Sequence, residues 1–224
     1  KLIQSFIFRN SLNLFDVKIS CIGLWHKRKL SKQLPIARDK IIVIEDGGGE
    51  IFTKFSQLSL INKLKENHIV FPKKNKIIFL LFGNFRKDKG YLYLSSIWNK
   101  FFNLPNDPYL WIVGYDEEKI LGKMNLSKST NIIVHNSYVP LEIISCIYQK
   151  SDFAILPYLS NYNGGSGPLM KGAFTHERLA VVANVSEMGR LAKEENLAEY
   201  FEAENESSLV DCINRILKRK PDFY

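Results

Sequence analysis

Cysteine is scarce in this 224-residue chain, and no long apolar run interrupts it. Cys21, Cys146 and Cys212 lie far apart, no CxxC pair occurs and the four histidines are scattered, so we expect neither a disulfide framework nor a clustered metal site. This cysteine usage favours a reducing, cytoplasmic setting. No stretch approaches the roughly 18 apolar residues of a membrane span. The first residues, KLIQSFIFRN, lack a signal-peptide layout and begin without Met, so we expect the C-terminal part of a longer protein.

The charge balance is basic. Lys and Arg number 31 against 23 Asp and Glu, which gives a formal net charge of +8. Apolar residues make up 46% of the chain, enough to bury a substantial core. Positive charge favours anionic partners: phosphate-bearing metabolites, anionic lipid headgroups or nucleic acid. Composition by itself leaves these three classes open.

From residue 76 onward, short apolar runs alternate with helical patterns. The predicted strands are Lys76–Phe82, Tyr109–Val113, Asn131–Val134, Asp152–Leu156 and Leu179–Ala183. The predicted helices, each with an apolar stripe at steps of three and four, are Lys89–Phe102, Leu141–Gln149 and Ser207–Lys218. Regular alternation of this kind predicts an α/β fold with a Rossmann-like, doubly wound parallel sheet.

The first 75 residues have a weaker pattern. Strands are predicted at Asp16–Ile22 and Lys40–Glu45, with a basic helix, Trp25–Gln33, between them. Asp46–Gly49 looks like a flexible break, and Phe52–Glu66 is predicted to be helical. We therefore interpret residues 1–50 as the end of a preceding α/β domain, 51–75 as a connector and 76–224 as the main domain.

A basic loop, GNFRKDKG, follows the first strand of the main domain. Gly83 allows a sharp exit from the strand, and Arg86 and Lys89 bring positive charge to the start of the next helix. No Gly-Lys-Ser/Thr sequence is present, so the loop is not that of a P-loop NTPase. The alternative interpretation is a solvated basic turn.

A glycine-rich loop, NGGSGP, follows the run DFAILPY. Consecutive glycines can present backbone N–H groups as a small anion nest, Ser166 can cap the following helix and Pro168 suits its first turn. The alternative interpretation is a flexible loop with a capped helix. Because both loops should open on the same edge of one sheet, we expect them to enclose a diphosphate.

A third loop is predicted at Glu187-Met188-Gly189, on the same edge of the sheet. Glu142 is interpreted as a first-turn partner of a helix dipole. His135 and His176 are interpreted as ordinary polar residues, because the sequence pairs neither with a nucleophile. No Ser-His-Asp or Cys-His arrangement is visible.

The order FGNFRKDKG, WIVG, SDFAILPY and a Gly-Ser-Gly loop resembles the C-terminal domain of the group 1 (family-4-like) glycosyltransferases, which are retaining enzymes with the GT-B fold. The resemblance covers residues 76–217, and residues 16–48 look like the end of the acceptor-binding domain. It implies a nucleotide-sugar donor substrate, with no cofactor and no metal. It also implies catalytic roles for Arg86 and Lys89, which would grip the donor diphosphate.

The implied donor-binding residues are Gly83, Asn84, Asn163, Gly164, Gly165, Ser166, Gly167, Lys171, Glu187 and Gly189. Several positions differ from the pattern of many members. Asn84 stands where many have Arg, and Asn163 and Lys171 stand where many have glutamates. A lysine cannot accept hydrogen bonds from ribose hydroxyls. Residues 176–178 replace the usual Gly-x-Pro.

The resemblance therefore implies a glycosyltransferase that acts on a glycan or lipid-linked acceptor, in surface polysaccharide or glycoconjugate synthesis. We expect it in the cytoplasm, in peripheral contact with the anionic inner membrane face, and we expect this fragment alone to be inactive. The alternatives are a degenerate nucleotide-sugar-binding or partner-binding domain and a sugar-nucleotide 2-epimerase of the same architecture. Nucleic acid is not an expected partner, because the positive charge is dispersed.

Overall fold

Six parallel strands form the main sheet of the protein. The computed structural model describes residues 18–33, 38–44, 54–72, 76–101, 108–124, 126 and 131–219. The strands of this sheet are β3 (Ile78–Phe82), β4 (Tyr109–Gly114), β5 (Ile132–Asn136), β6 (Phe153–Leu156), β7 (Leu179–Ala183) and β8 (Glu199–Phe201). Their spatial order is β5-β4-β3-β6-β7-β8.

A smaller sheet precedes the main one. It contains β1 (Ile19–Ile22) and β2 (Ile41–Ile44), which pair in parallel with Ile19 opposite Ile41. Helix α1 (Gly23–Gln33) connects these two strands. The described parts of the predicted strands and basic helix in this region agree with these elements. Residues 16, 17 and 45–49 lie outside the described ranges, and the domain boundaries at 50 and 75 stay predictions.

Helices and shorter turns make up the rest of the described secondary structure. The helices are α2 (Gln57–Glu66), α3 (Tyr91–Ile97), α4 (Leu141–Lys150), α5 (Ser186–Glu194) and α6 (Glu206–Arg219), together with a π-helix at Pro168–Phe174. The 3₁₀ turns are Arg38–Lys40, Lys87–Lys89, Trp98–Phe101 and Leu121–Lys123. None of the helices in the described ranges is long and apolar enough to cross a membrane.

The sheet is doubly wound, as predicted. The chain runs outward from β3 through β4 to β5 and then returns to place β6 on the other side of β3. The order of the strands reverses at this point, between β3 and β6, and ligand crevices in such sheets open there. Because both faces of the sheet are covered, β3 and β6 are apolar at successive residues and do not alternate.

The predicted helix Phe52–Glu66 begins later than expected among the described residues. Helix α2 starts at Gln57, and the hydroxyl oxygen of Ser56 accepts a hydrogen bond from the Ser59 N–H at 3.3 Å. This bond satisfies one of the free amides at the start of the helix, which fixes its first turn. Residues 52 and 53 lie outside the described ranges.

The prediction of a loop at residues 187–189 was wrong. These residues lie in α5, and the chain then adds β8 to the edge of the sheet. The apolar positions Met188, Leu191 and Ala192 have the spacing of a helical stripe, and all three are buried. The sequence pattern did not reveal these two elements, because the stripe covers only two turns among many charged residues and β8 is only three residues long.

One backbone contact fixes the basic loop against the neighbouring strand. Gly90 has a φ of +74°, and a Cβ atom at this position would lie 1.9 Å from the carbonyl oxygen of Pro157, just after β6. The Leu159 N–H also donates to the carbonyl of Asp88 at 2.9 Å. The loop after β3 and the segment after β6 therefore pack backbone to backbone.

Substitution of Gly90 should test this contact. We expect Gly90→Ala to lower the free energy of unfolding by about 2 kcal/mol or more, because the left-handed conformation and the clash both oppose a side chain. The control is Gly122→Ala, where a Cβ would meet no atom within 4 Å. Its effect should stay within about 0.5 kcal/mol. Urea unfolding of both variants measures the difference, and equal midpoints would contradict the packing described.

Candidate functional site

A cleft of about 920 Å³ opens at the carboxyl end of β3, between α4 and the π-helix. Its size lies within the range of small-molecule sites. The charged residues on its walls are Lys63, Arg86, Lys89, Glu142 and Lys171. Its other lining residues include Phe55, Phe82, Gly83, Asn84, Leu141, Ser145, Tyr148, Gly167, Pro168, Gly172, Thr175 and His176. The cleft therefore lies where the strand order reverses, and its walls carry mostly positive charge.

Gly83 leads the chain out of β3 with a φ of +121°. Its carbonyl oxygen accepts a hydrogen bond from the Tyr91 hydroxyl at 2.7 Å, which ties the loop to α3. A Cβ atom on Gly83 would lie 3.2 Å from the Lys89 ammonium nitrogen. Glycine at this position therefore leaves room for the lysine side chain to cross the mouth of β3.

Lys89 is the most unusual charged group in the cleft. Only 9% of this residue is exposed, although a lysine with its ordinary pKa is positively charged at neutral pH. Burial, and then the nearby charge of Arg86, lower the pKa of its ammonium group. Within the described ranges no acceptor or carboxylate bonds to its Nζ, which lies 5.9 Å from the centre of the Tyr158 ring. The side chain is thus mostly buried while its ammonium group opens into the cleft, and such partly desolvated charges are typical of sites that bind the opposite charge.

Arg86 lies at the rim of the cleft with 47% of its side chain exposed. It forms an ion pair with Asp88, in which Nε donates to Oδ1 at 3.1 Å and Nη2 donates to Oδ2. The Asp88 hydrogen bond raises the pKa of the guanidinium group. Lys89 and Arg86 thus lie in one short loop, but among the described residues only the arginine forms a direct ion pair with Asp88.

The structure divides the glycine-rich loop and its surroundings into two groups. Gly167 and Lys171 line the cleft together with Gly83 and Asn84. By contrast, Asn163, Gly164, Gly165, Ser166, Glu187 and Gly189 do not line it. Their predicted roles in binding the donor stay predictions.

Hydrogen bonds hold the first half of the glycine-rich loop in place. The hydroxyl of buried Ser166 lies 3.2 Å from that of Tyr158 and accepts from the Leu169 N–H at 3.3 Å, which is the capping role expected for it. The carbonyl of Gly164 accepts from the Ser186 hydroxyl. The Gly165 carbonyl accepts from the Tyr162 hydroxyl. The Asn163 carbonyl accepts from the imidazole ring of His26. The loop is therefore anchored to α5 and to α1.

Glu187 links α5 to α1 instead of lining the cleft. Its carboxylate accepts from the Trp25 N–H at 2.7 Å, in the first turn of α1, and from Arg190 Nε at 2.6 Å. Only 6% of Glu187 is exposed. The free amides at the start of a helix favour such an anionic partner. Gly189, two residues further along the chain, packs closely on Asn184.

A half-buried Ser-His pair, which the sequence did not reveal, lies in the wall of the cleft. The Nε2 atom of His176 lies 2.8 Å from the Ser145 hydroxyl oxygen, and its Nδ1 lies 2.7 Å from the Gly172 carbonyl oxygen. The interpretation of His176 as an ordinary polar residue stays a prediction, although its ring has a serine partner that the sequence did not indicate. Burial lowers the pKa of the imidazole. The partners are 31 residues apart, so no local motif could have revealed the pair.

Tyr148 forms the floor beneath this pair. Its ring stacks on that of His176 with centres 5.1 Å apart and an angle of 12° between the planes. Its hydroxyl donates to the Pro168 carbonyl at 3.0 Å, and burial raises its pKa well above the ordinary value. Gly172 packs so closely on Tyr148 that a Cβ would lie 2.0 Å from the hydroxyl oxygen. The π-helix and α4 therefore form one rigid wall.

In the part of the chain that the structure describes, no three or more His, Cys, Asp or Glu side chains cluster in a way that could hold a metal ion.

Solved structures share this architecture. A glycosyltransferase from Rickettsia africae aligns with a TM-score of 0.75 and 19% identity over 91% of this chain and 54% of its own. HepE of Anabaena, in complex with UDP and glucose, aligns with a TM-score of 0.75 and 13% identity over 99% and 59%. WaaG, a glycosyltransferase of lipopolysaccharide biosynthesis, aligns with a TM-score of 0.66 and 14% identity over 91% and 54%.

The fold is that of the GT-B glycosyltransferases. The fold class expected from the sequence and the predicted resemblance are confirmed. The chain spans a little over half the length of each of these three GT-B structures. No protein-family profile and no curated protein sequence matches the chain.

The role of Glu187 generates a prediction. We expect Glu187→Gln to lower the free energy of unfolding by about 2 kcal/mol, because it removes the one buried carboxylate among the three that pair with Arg190 in the described ranges. Glu195→Gln is the control, since Glu195 pairs with the same arginine from a half-exposed position. That change should cost less than about 1 kcal/mol. Chemical denaturation measures both values, and a Glu187 variant no less stable than the control would contradict the linking role.

Proposed function

We propose that this chain is the donor-binding part of a glycosyltransferase that moves a sugar from a nucleotide-sugar to a glycan or lipid-linked acceptor. The observation that carries the proposal is Lys89: a mostly buried side chain whose ammonium group opens into a large cleft at the reversal point of a doubly wound sheet, without an acceptor among the described residues. A diphosphate bridging this position would supply the missing counter-charge. It would also offset the cost of burying the lysine.

The chemistry of sugar transfer suits such a group. As the bond between the sugar and the diphosphate breaks, negative charge develops on the departing phosphate oxygen. A fixed ammonium in a partly dry site stabilises this charge more than water does, since it needs no reorganisation during the reaction. Arg86 would add a second cation at the rim, after exchanging its contact with Asp88 for a phosphate oxygen.

The similar structures support this choice of ligand. HepE has been solved with UDP and with UDP-glucose, and WaaG is a glycosyltransferase of lipopolysaccharide synthesis. By analogy we propose a retaining, metal-independent transfer in the synthesis of surface glycans. Action at the cytoplasmic membrane face is proposed on the net charge of +8.

A binding domain without transferase activity is the second candidate. Lys171 favours it, because a lysine on the cleft wall cannot accept hydrogen bonds from sugar or ribose hydroxyls as a glutamate would. The two candidates differ in turnover, whereas both require nucleotide binding. The Lys89 experiment therefore tests the feature that they share.

We expect Lys89→Met to weaken UDP, GDP or ADP binding at least tenfold while it raises the free energy of unfolding by about 1 kcal/mol. The substitution removes the lysine that would pair with the diphosphate. It also removes a positive charge whose desolvation costs stability. Isothermal calorimetry and urea unfolding measure the two effects. Lys87→Met is the matched control, because Lys87 lies in the same turn but is exposed and does not line the cleft.

Opposite signs for binding and stability distinguish a binding lysine from a structural one. Loss of both binding and stability in Lys89→Met would mean that the lysine supports the fold. Undiminished binding would sink the proposed diphosphate contact. Wild-type protein that binds none of the three nucleotides would sink the proposed function itself.

The pH dependence of stability provides a separate check. The lowered pKa of Lys89 means that the folded protein holds this proton less tightly than the unfolded chain does. The cost of burying the charged Lys89 is therefore fully present below the pKa that this lysine has in the folded protein. It disappears as the pH rises towards the ordinary lysine pKa of about 10.4. The stability advantage of Lys89→Met over wild type should shrink across this window, as measured by urea unfolding at several pH values. An advantage that stays constant with pH would contradict this origin.

A further inference from the structure

The two walls of the cleft differ in chemistry. Lys89 brings positive charge from the loop after β3, whereas α4 brings acceptor oxygens from the wall that it forms with the π-helix. Glu142 and Ser145 are three residues apart in this helix and both line the cleft, because residues at that spacing share a face. Of the described lining residues, Glu142 carries the only carboxylate. The α4 wall therefore suits a group rich in hydrogen-bond donors.

The hydrogen bonds of His176 fix the direction of the Ser145 hydroxyl. The Nδ1 atom faces a carbonyl oxygen, that of Gly172, so it must carry the proton and donate. In the neutral ring, Nε2 is then an acceptor, and it takes the hydrogen of the Ser145 hydroxyl. The lone pairs of the serine oxygen stay available as acceptors. His176 thus turns Ser145 into an oriented acceptor.

Packing prevents this pair from turning away. The Tyr148 ring lies flat against the imidazole, and its hydroxyl is bonded to the π-helix at Pro168. The Thr175 hydroxyl, close by on the same wall, donates to the Met170 carbonyl at 3.0 Å. The serine oxygen consequently has one defined position in the wall of the cleft.

We infer that Ser145, oriented by His176, and Glu142 accept hydrogen bonds from the ribose hydroxyls of the nucleotide. This inference rests on the proposed function. It gives the cleft the acceptors that Lys171 cannot provide, since an ammonium group only donates. A nucleoside diphosphate presents an anionic end and a vicinal diol, which match the lysine side and the α4 side. Ser145 and Glu142 are specificity residues here, and His176 is a positioning residue.

The expected consequence is discrimination between ribonucleotides and deoxyribonucleotides. A site whose buried polar groups are built to bond a hydroxyl rejects an analogue that lacks it. Calorimetry on the full chain would first identify the tightest binder among UDP, GDP and ADP. The same nucleotide would then be compared with its 2′-deoxy and 3′-deoxy forms. We expect wild-type protein to bind at least one deoxy form about tenfold more weakly.

Three variants locate the source of this preference. Ser145→Ala should bind the ribonucleotide about tenfold more weakly and the discriminating deoxy form unchanged, so that the preference disappears. Glu142→Gln should also reduce the preference for the ribonucleotide. Because Glu142 is exposed, the fold should tolerate this substitution. His176→Phe should reduce it too, with no further effect once Ser145 is alanine. Ser96→Ala is the control, since this helical serine bonds the Tyr93 carbonyl and does not line the cleft.

The outcomes separate this inference from the proposed function. Equal binding of ribo and deoxy forms by wild-type protein would overturn the ribose contact but leave nucleotide binding intact. If Ser145→Ala weakened the binding of the ribonucleotide and of the deoxy form by the same factor, Ser145 would have a merely structural role. A dependence on Ser145 that appears only with a nucleotide-sugar, and not with the nucleoside diphosphate, would assign the contact to the transferred sugar instead. No binding of any nucleotide would overturn both proposals.

Discussion

The contact between Gly90 and the carbonyl of Pro157 decides where the positive charge of the cleft lies. It joins the loop after β3 to the segment after β6, the two strands between which the chain reverses direction across the sheet. Since the backbones touch directly, the turn that carries Lys89 has little freedom to move. The lysine side chain then crosses the space that Gly83 leaves open. A cation is thus fixed at the carboxyl end of the sheet.

A second rigid wall faces this loop. Tyr148, Gly172 and His176 bind α4 to the π-helix through ring stacking, a hydrogen bond and close backbone approach. π-Helical segments are rare and often occur at functional sites, and here the segment brings a carbonyl oxygen to the imidazole. The cleft therefore has Arg86 and Lys89 on the loop side, and oriented acceptors together with Lys171 on the opposite wall. Its ligand must offer both an anionic group and hydroxyls.

Sequence patterns predicted the main sheet because its strands are short, uninterrupted apolar runs. The same logic failed at α5, where a two-turn apolar stripe is surrounded by charged residues, and at the three-residue strand β8. For the candidate site, the sequence identified Lys89 and Gly83 through their place after a strand. It could not predict that Glu187 caps α1, because the carboxylate meets an amide 162 residues away.

The sequence by itself therefore determined the doubly wound fold and the edge of the sheet where the loops gather, since both follow from local periodicity and strand direction. Only the tertiary structure decided which side chains of those loops enter the cleft. It left Lys89 buried without an acceptor in the described ranges, paired Arg86 with Asp88 and joined Ser145 to His176. The physical reason is that side-chain direction and hydrogen-bond partners depend on packing between distant segments, which no local pattern records.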